Sequence, residues 1–177
     1  SLTVDPSAIV ASNDSAAAIN GASGATAVAN AFTSDLVNGV AASPANASLS
    51  VKAGTTVPAG LTFDPATGSV DVAAGTPAGS YVIHYTLCET LNPTNCQDAT
   101  ITVEVIAAPV VASSDSKTGI NGATGDPAAL NLFTGDTING AAATPANATL
   151  SVAPGASVPA QLSFDPATGV VAVNPGT

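Results

Sequence analysis

Short stretches of alternating apolar and polar residues recur along this chain, and residues that favour turns separate them. Successive side chains of a β-strand point to opposite faces, so this alternation predicts strands with one buried face. In the first hundred or so residues, the predicted strands are 8–12, 26–32, 47–52, 60–63, 69–73, 80–88 and 96–106. Many short strands with turns between them are typical of an all-β, antiparallel sandwich.

The last two predicted strands form a hairpin whose alternation assigns each side chain to a face. The predicted core face carries Tyr81, Ile83, Tyr85, Leu87, Ala99, Ile101, Val103 and Val105. The other face carries both Cys88 and Cys96, which predicts a disulfide across the mouth of the hairpin. A zinc site is the alternative for two cysteines, but no third or fourth ligand is nearby. A disulfide requires an oxidising compartment and therefore indicates an exported protein.

The chain contains one unit twice, at an offset of 101 residues without a gap. The clearest match is between VPAGLTFDPATG at 57–68 and VPAQLSFDPATG at 158–169. In both copies the Asp-Pro and the final Gly predict a tight turn between two strands, with Asp64 and Asp165 capping their own turns. A repeat of about a hundred residues is large enough to be a domain with its own core.

The repeat divides the chain into an N-terminal strand or linker (1–8), repeat 1 (9–109) and an incomplete repeat 2 (110–177). The predicted strands of repeat 1 recur in repeat 2 as far as Asn174, but the C-terminal hairpin does not. We expect such a sandwich to expose a core groove and unpaired strand edges. Further repeats of a longer chain would cover the groove, or a neighbouring copy would donate a strand and form a filament. At the repeat offset, Leu2, Thr3 and Val4 lie where Thr102–Val105 ends repeat 1, which makes them the candidate donor strand, although one strand does not replace two.

Composition narrows the classes of function. Twelve acidic residues against two lysines give a formal net charge of −10, which argues against nucleic-acid binding. No apolar run approaches the roughly 20 residues that span a bilayer, so no membrane insertion is predicted. The first residues lack the features of a signal peptide and there is no Met, which predicts a processed product or part of a longer protein. An acidic surface keeps a secreted protein soluble and attracts divalent cations.

Calcium is the one candidate ligand or cofactor that the acidic residues suggest. Four aspartates occupy equivalent positions of the two repeats, in predicted loops near one end: Asp14, Asp35, Asp115 and Asp136. Oxygen-rich loops at a domain junction are typical calcium sites, but turn-forming aspartates explain the pattern nearly as well. The only histidine, His84, is predicted on a solvent-facing strand surface, and the acidic residues stand singly. No catalytic constellation is predicted, and the chain is interpreted as a non-enzyme.

A family resemblance rests on residues 57–105, VPAGLTFDPATGSVDVAAGTPAGSYVIHYTLCETLNPTNCQDATITVEV, together with NDSAAAINGASG at 13–24 and SDLVNG at 34–39. These stretches resemble the Ig-like and cadherin-like repeats of large bacterial surface proteins and adhesins. The resemblance implies a secreted or cell-surface module that repeats along an exported chain as a stalk, spacer or fibre. Repeats of this type usually carry paired acidic residues near their start. This chain has fewer such pairs, which weakens the calcium hypothesis.

The alternative function is a ligand- or carbohydrate-binding adhesin domain that recognises a surface receptor. Sugar-binding platforms usually need exposed aromatic rings. The chain has only six aromatic residues, and nearly all of them are at predicted core positions. This weakens the alternative relative to a structural role.

Overall fold

Strands account for all the regular secondary structure of this chain. The computed structural model describes all 177 residues, Ser1–Thr177, and contains no helix, so none is long and apolar enough to cross a membrane. The chain divides into two compact units, unit 1 (Ser1–Ala107) and unit 2 (Ala108–Thr177). The protein is therefore all-β, and each unit is described separately.

Unit 1 contains ten strands. They are β1 (Ile9–Val10), β2 (Asp14–Asn20), β3 (Ala25–Asn30), β4 (Leu36–Val37), β5 (Val40–Ala41), β6 (Ala47–Val51), β7 (Leu61–Phe63), β8 (Ser69–Val72), β9 (Gly79–Glu89) and β10 (Cys96–Ile106). They form a four-stranded sheet in the order β2-β10-β9-β6, a three-stranded sheet β3-β8-β7 and a small sheet β1-β4-β5.

The core of unit 1 takes side chains from both larger sheets, as expected for a β-sandwich. Ile83, Tyr85 and Leu87 of β9 are fully buried, as is Val70 of β8. Phe63 of β7 packs against Tyr85 with a ring-centroid distance of 6.4 Å. The hydrophobic faces of two sheets therefore stabilise unit 1.

The predicted hairpin of β9 and β10 is confirmed. Cys96 pairs with Cys88 in the antiparallel register, and the two cysteines form a disulfide. Of the eight residues assigned to the core face, seven are buried, and Tyr81 is partly buried against the same cluster. Alternation alone was sufficient to assign the core face, because that face of the hairpin is covered by the rest of unit 1.

The prediction of an antiparallel β-sandwich is confirmed, with one parallel strand pair as an exception, whereas the prediction that Asp14 lies in a loop is wrong. Asp14 begins β2, which pairs with β10 in parallel, and the register shifts between Val103 and Val105. Ala18 of β2 has a φ of 58°, in the left-handed region. The segment is rich in Ala and has a single β-branched residue, Ile19, so its local sequence is a weak signal for a strand. It is a strand because β10 offers it an edge, which a local pattern does not reveal. The short β4 and β5 were also missed.

Unit 2 contains six strands. They are β11 (Val110–Val111), β12 (Asp126–Asn131), β13 (Thr137–Ile138), β14 (Ala141–Ala142), β15 (Leu162–Phe164) and β16 (Val170–Val173). They form two three-stranded sheets, β11-β13-β14 and β12-β16-β15, which match the two smaller sheets of unit 1.

The counterpart of the four-stranded sheet is absent from unit 2. Residues 115–121 and 148–152 correspond to β2 and β6, yet neither segment is a strand. The prediction that the strands of repeat 1 recur in repeat 2 is therefore wrong for 148–153. In unit 1, β2 and β6 pair only with β10 and β9, so without that hairpin their counterparts have no hydrogen-bonding partner. Within these 177 residues, unit 2 therefore contains counterparts of only two of the three sheets of unit 1.

The repeated Asp-Pro-Ala-Thr-Gly phrase forms the predicted turn in both units. Asp64 accepts hydrogen bonds from the Ala66 amide (2.9 Å) and the Thr67 hydroxyl (2.7 Å). Asp165 makes the same contacts with its own turn. These bonds lower the pKa of both carboxyl groups. The two aspartates are therefore turn caps, as predicted.

Candidate functional site

A buried cluster of two carboxyl groups and one phenol joins β2, the turn after β3 and β9 in unit 1. The Tyr85 hydroxyl is 2.9 Å from the Ser12 carbonyl oxygen, 3.1 Å from Asp35 Oδ2 and 3.4 Å from Asp14 Oδ2. The Ser12 amide donates to Asp35 Oδ1 at 2.6 Å. Asp35 is 1% exposed, which is unusual for a carboxylate. One hydroxyl proton therefore faces three acceptors.

Burial sets the ionisation of this cluster. Two effects raise the pKa of Asp14 to about 6: first its burial, and second the negative charge of Asp35. The hydrogen bond from Tyr85 acts in the opposite direction. Burial also raises the pKa of Asp35, against the hydrogen bonds from Ser12 and Tyr85. Burial and the two carboxylates raise the pKa of Tyr85 well above its usual range, so its O–H stays a donor. Protonation of Asp14 supplies a second donor to the cluster.

The predicted calcium residues are thus brought together only in part. In unit 1, Asp14 and Asp35 meet around Tyr85, whereas in unit 2 Asp136 accepts from the Ser113 amide and makes no hydrogen bond with Asp115. No group of three or more His, Cys, Asp or Glu side chains is arranged to hold a metal ion. Two carboxylates supply too few of the six to eight oxygens that Ca²⁺ takes, so further ligands would be needed. Calcium binding stays a prediction.

Glu89, which sequence reasoning missed, joins the N-terminal segment to the disulfide loop. Its carboxylate is 3% exposed and accepts from the Ser7 hydroxyl (2.8 Å), the Ser7 amide (3.3 Å) and the Asn95 side-chain amide (2.9 Å). Hydrogen bonds to the Glu89 carboxylate lower its pKa, and the largest contribution comes from Asn95. Strand alternation places Glu89 on the same face as Leu87, which could have marked it as an inward-facing carboxylate, but the pattern does not show its partners.

The histidine and the aromatic residues, which were considered for catalysis and for sugar binding, do not form an open site. His84 is partly buried on the outer face of β9, opposite Thr100 of β10. None of the six aromatic residues is exposed; Tyr85 and Phe133 are buried, and the others are partly buried. There is no exposed aromatic platform for a sugar.

Unit 2 contains a groove of about 380 Å³ where its layer is missing. Its apolar lining includes Phe133, Ala143 and Leu150, and Asp136 contributes a carboxylate. At the repeat offset these apolar residues correspond to positions in the core cluster of unit 1. The groove therefore occupies the place of a core interface.

The comparisons with known proteins show similarity to cadherin ectodomains in structure only. No family model and no curated protein sequence matches the chain. The extracellular cadherin domains 1–4 of protocadherin gamma B7 are 8% identical, with a TM-score of 0.43, over 95% of this chain and 40% of that one. The human desmocollin-1 ectodomain is 13% identical, with a TM-score of 0.41, over 96% and 34%. The third cadherin domain of human protocadherin 7 is 13% identical, with a TM-score of 0.42, over 59% and 90%. This chain thus spans less than half the length of the protocadherin gamma B7 and desmocollin-1 structures.

Proposed function

We propose that this chain is a non-catalytic structural repeat module of an extracellular bacterial surface fibre or adhesin stalk, and that its repeats associate by strand complementation. One observation carries the proposal: two units of closely related sequence follow one another along the chain, and the first folds into a β-sandwich whose last two strands are joined by a disulfide. Strand addition at an open sheet edge is an established mode of association.

The side chains of unit 2 support this reading. Five aliphatic residues are only partly buried although their counterparts in unit 1 are buried: Ala148, Leu150, Leu162, Val171 and Val173. Val152 and Val158 are 42% and 38% exposed. Apolar residues left exposed on a surface are a feature of association sites when they cluster. A partner that supplies the missing layer would bury them.

The N-terminal residues match part of that layer. Leu2 and Val4 are 92% and 85% exposed, and at the repeat offset they correspond to Val103 and Val105, which are 0% and 2% exposed in β10. β10 pairs Val103 with Ala16 and Val105 with Ile19. A donated strand in the same register would place Leu2 beside Lys117 and Val4 beside Ile120.

Head-to-tail donation does not close on itself and so produces a filament. The donor Leu2–Val4 replaces only the end of β10, so a second strand has to complete the layer. Neighbouring copies and further repeats of the same sequence type are therefore the proposed partners.

Negative-stain electron microscopy and light scattering of the purified chain test the proposal. We expect concentration-dependent filaments that run as single short chains on a denaturing gel. The double variant Leu2→Asp/Val4→Asp should shorten them or shift the association to higher concentration. Leu91→Asp is the matched control, because Leu91 is 85% exposed in the disulfide loop and has no role in donation. A chain that stays monomeric at every concentration, or a donor variant that assembles like the control, contradicts it.

A further inference from the structure

The two edges of the four-stranded sheet in unit 1 differ in how they are protected. At one edge, β2 pairs in parallel with β10, the register shifts between Val103 and Val105, and Ala18 has a φ of 58°. Irregularities of this kind hinder the addition of a further strand. At the other edge, β6 pairs with β9 over five residues without a register shift, and it contains no proline and no charged residue. The sheet therefore has one edge that is open to another strand.

The open edge carries backbone groups without a partner. Just beyond the end of β6, the Lys52 amide donates to His84 O at 2.9 Å. Because hydrogen-bonded positions alternate along an antiparallel pair, Ser50 also bonds to β9, whereas Leu49 and Val51 direct their backbone groups away from it. β6 has no strand on that side, and no other part of the chain bonds these groups. The donors and acceptors of Leu49 and Val51 are therefore available to a further strand.

An apolar groove of about 410 Å³ lies at the same edge. Leu49 of β6 contributes to its lining, together with Phe32, Pro44 and Pro65 from neighbouring turns. Both prolines are exposed. Every second side chain of a strand added to β6 would face this groove. The edge therefore offers apolar contacts as well as backbone hydrogen bonds.

The charge of the edge suits a second copy of this chain. The formal net charge is −10, so two copies repel each other wherever their acidic surfaces meet. Residues 36–63, which include β6, contain no acidic residue and one lysine, Lys52. Two copies that meet along β6 therefore bring no carboxylates of this stretch together.

We infer that β6 pairs with β6 of a second copy in an antiparallel, two-fold symmetric arrangement centred on Ser50. In this register, Leu49 of each copy lies opposite Val51 of the other, which joins the free donors to the free acceptors. Ser48 lies opposite Lys52 of the other copy, so the two lysines do not meet. This side-by-side pairing goes beyond the proposed head-to-tail association and does not depend on it.

Sedimentation equilibrium of the full chain measures the pairing, which we expect to be weak because a single strand pair buries little surface. Every sample also carries Leu2→Asp/Val4→Asp, which removes head-to-tail donation. Ser50→Asp should weaken the dimer at least about fivefold, because it places like charges directly opposite each other at the two-fold axis. Ser48→Asp is the matched control. It makes the same charge change at another exposed position of β6 but faces Lys52, so its dimer should be at least as stable as that of the unaltered edge.

Hydrogen exchange locates the contact. The Leu49 and Val51 amides should exchange more slowly as the concentration rises. The Ser48 and Ser50 amides bond to β9 within each copy, so their exchange should not depend on concentration. Val51→Pro is a second variant and should abolish the dimer, because proline is tolerated where an edge amide has no partner but cannot donate to a second copy. Circular dichroism verifies that the variants are folded.

Three outcomes overturn the inference: no dimer at any concentration, equal effects of Ser50→Asp and Ser48→Asp, or association without protection of the Leu49 and Val51 amides. Protection of these amides only after an unrelated protein is added assigns the edge to that partner and also overturns the pairing of copies. Failure of the proposed function is distinct, because it is read from filaments of the chain with its native N-terminal residues. If those filaments form and the β6 dimer does not, only the inference fails.

Discussion

Acidification should stabilise unit 1 through Asp14. The folded state raises the pKa of Asp14 from its ordinary 3.8 to about 6, so the folded protein binds this proton more tightly than the unfolded chain. The stabilisation is fully present below pH 3.8 and is lost as the pH rises through about 6. Asp35, whose pKa burial also raises, contributes in the same direction.

The magnitude follows from the linkage relation. The difference between 3.8 and about 6 corresponds to about 3 kcal/mol in total, at about 1.4 kcal/mol per pH unit. About 2 kcal/mol of this is lost between roughly pH 4.5 and 7.5. Asp14 is partly exposed, so solvent screening reduces the expected loss to about 1 kcal/mol.

Urea denaturation followed by tyrosine fluorescence measures this change in unit 1 alone. The chain has two tyrosines and no tryptophan, and both Tyr81 and Tyr85 lie in unit 1. Asp14→Asn keeps an acceptor for Tyr85 but removes the titration, so its stability should lose this part of the pH dependence. The difference between the two proteins isolates Asp14 from every other group that titrates in this range.

Asp115→Asn is the matched control, because it changes the equivalent residue in unit 2, which has no tyrosine. Its pH dependence should equal that of the unaltered chain. The reasoning is refuted if unit 1 becomes no less stable between pH 4.5 and 7.5, or if Asp14→Asn retains the same slope.

Two further perturbations test the packing of unit 1. Replacing Cys88 and Cys96 by Ala should lower the free energy of unfolding by about 2–3 kcal/mol in the loop-entropy model; denaturation with and without reductant checks this, and an unchanged midpoint would rule it out. Gly68→Ala should destabilise unit 1 more than Gly75→Ala. Both glycines have positive φ (77° and 84°), but a Cβ at Gly68 would lie 2.8 Å from the Phe32 ring, whereas nothing lies within 4 Å at Gly75. Both variants should lose about 1 kcal/mol of unfolding free energy from backbone strain, and Gly68→Ala should lose about 1–3 kcal/mol more from the clash. Equal losses of stability measured by calorimetry would contradict the clash.

Much of the fold follows from local pattern. Alternation along 80–88 and 96–106 predicted the core face and the disulfide, because a hairpin places both strands in one register. The repeated phrase predicted the turn at Asp64 and Asp165, because Asx capping and a glycine with positive φ are local chemistry. Strand β2 was not predicted, because its Ala-rich sequence becomes a strand only beside β10.

The candidate site depended on contacts between residues distant in sequence. Asp14 and Asp35 were selected by composition and repeat position, but the partner that joins them is Tyr85, which is 50 residues from Asp35. Alternation identified Tyr85 only as a core residue, since a strand pattern shows which side chains face inward but not which polar atoms they meet. Glu89 was missed for the same reason, because its partner Ser7 is 82 residues away.

The sequence by itself determined the β class, the duplicated unit, the turns and the disulfide, since each depends on residues close together or on a fixed offset. Only the tertiary structure decided which of the segments with repeated sequence form strands. Residues 115–121 and 148–152 repeat the sequence of β2 and β6, but a β-strand exists only when a neighbour satisfies its backbone hydrogen bonds. Similar sequences are therefore strands in unit 1 and irregular in unit 2.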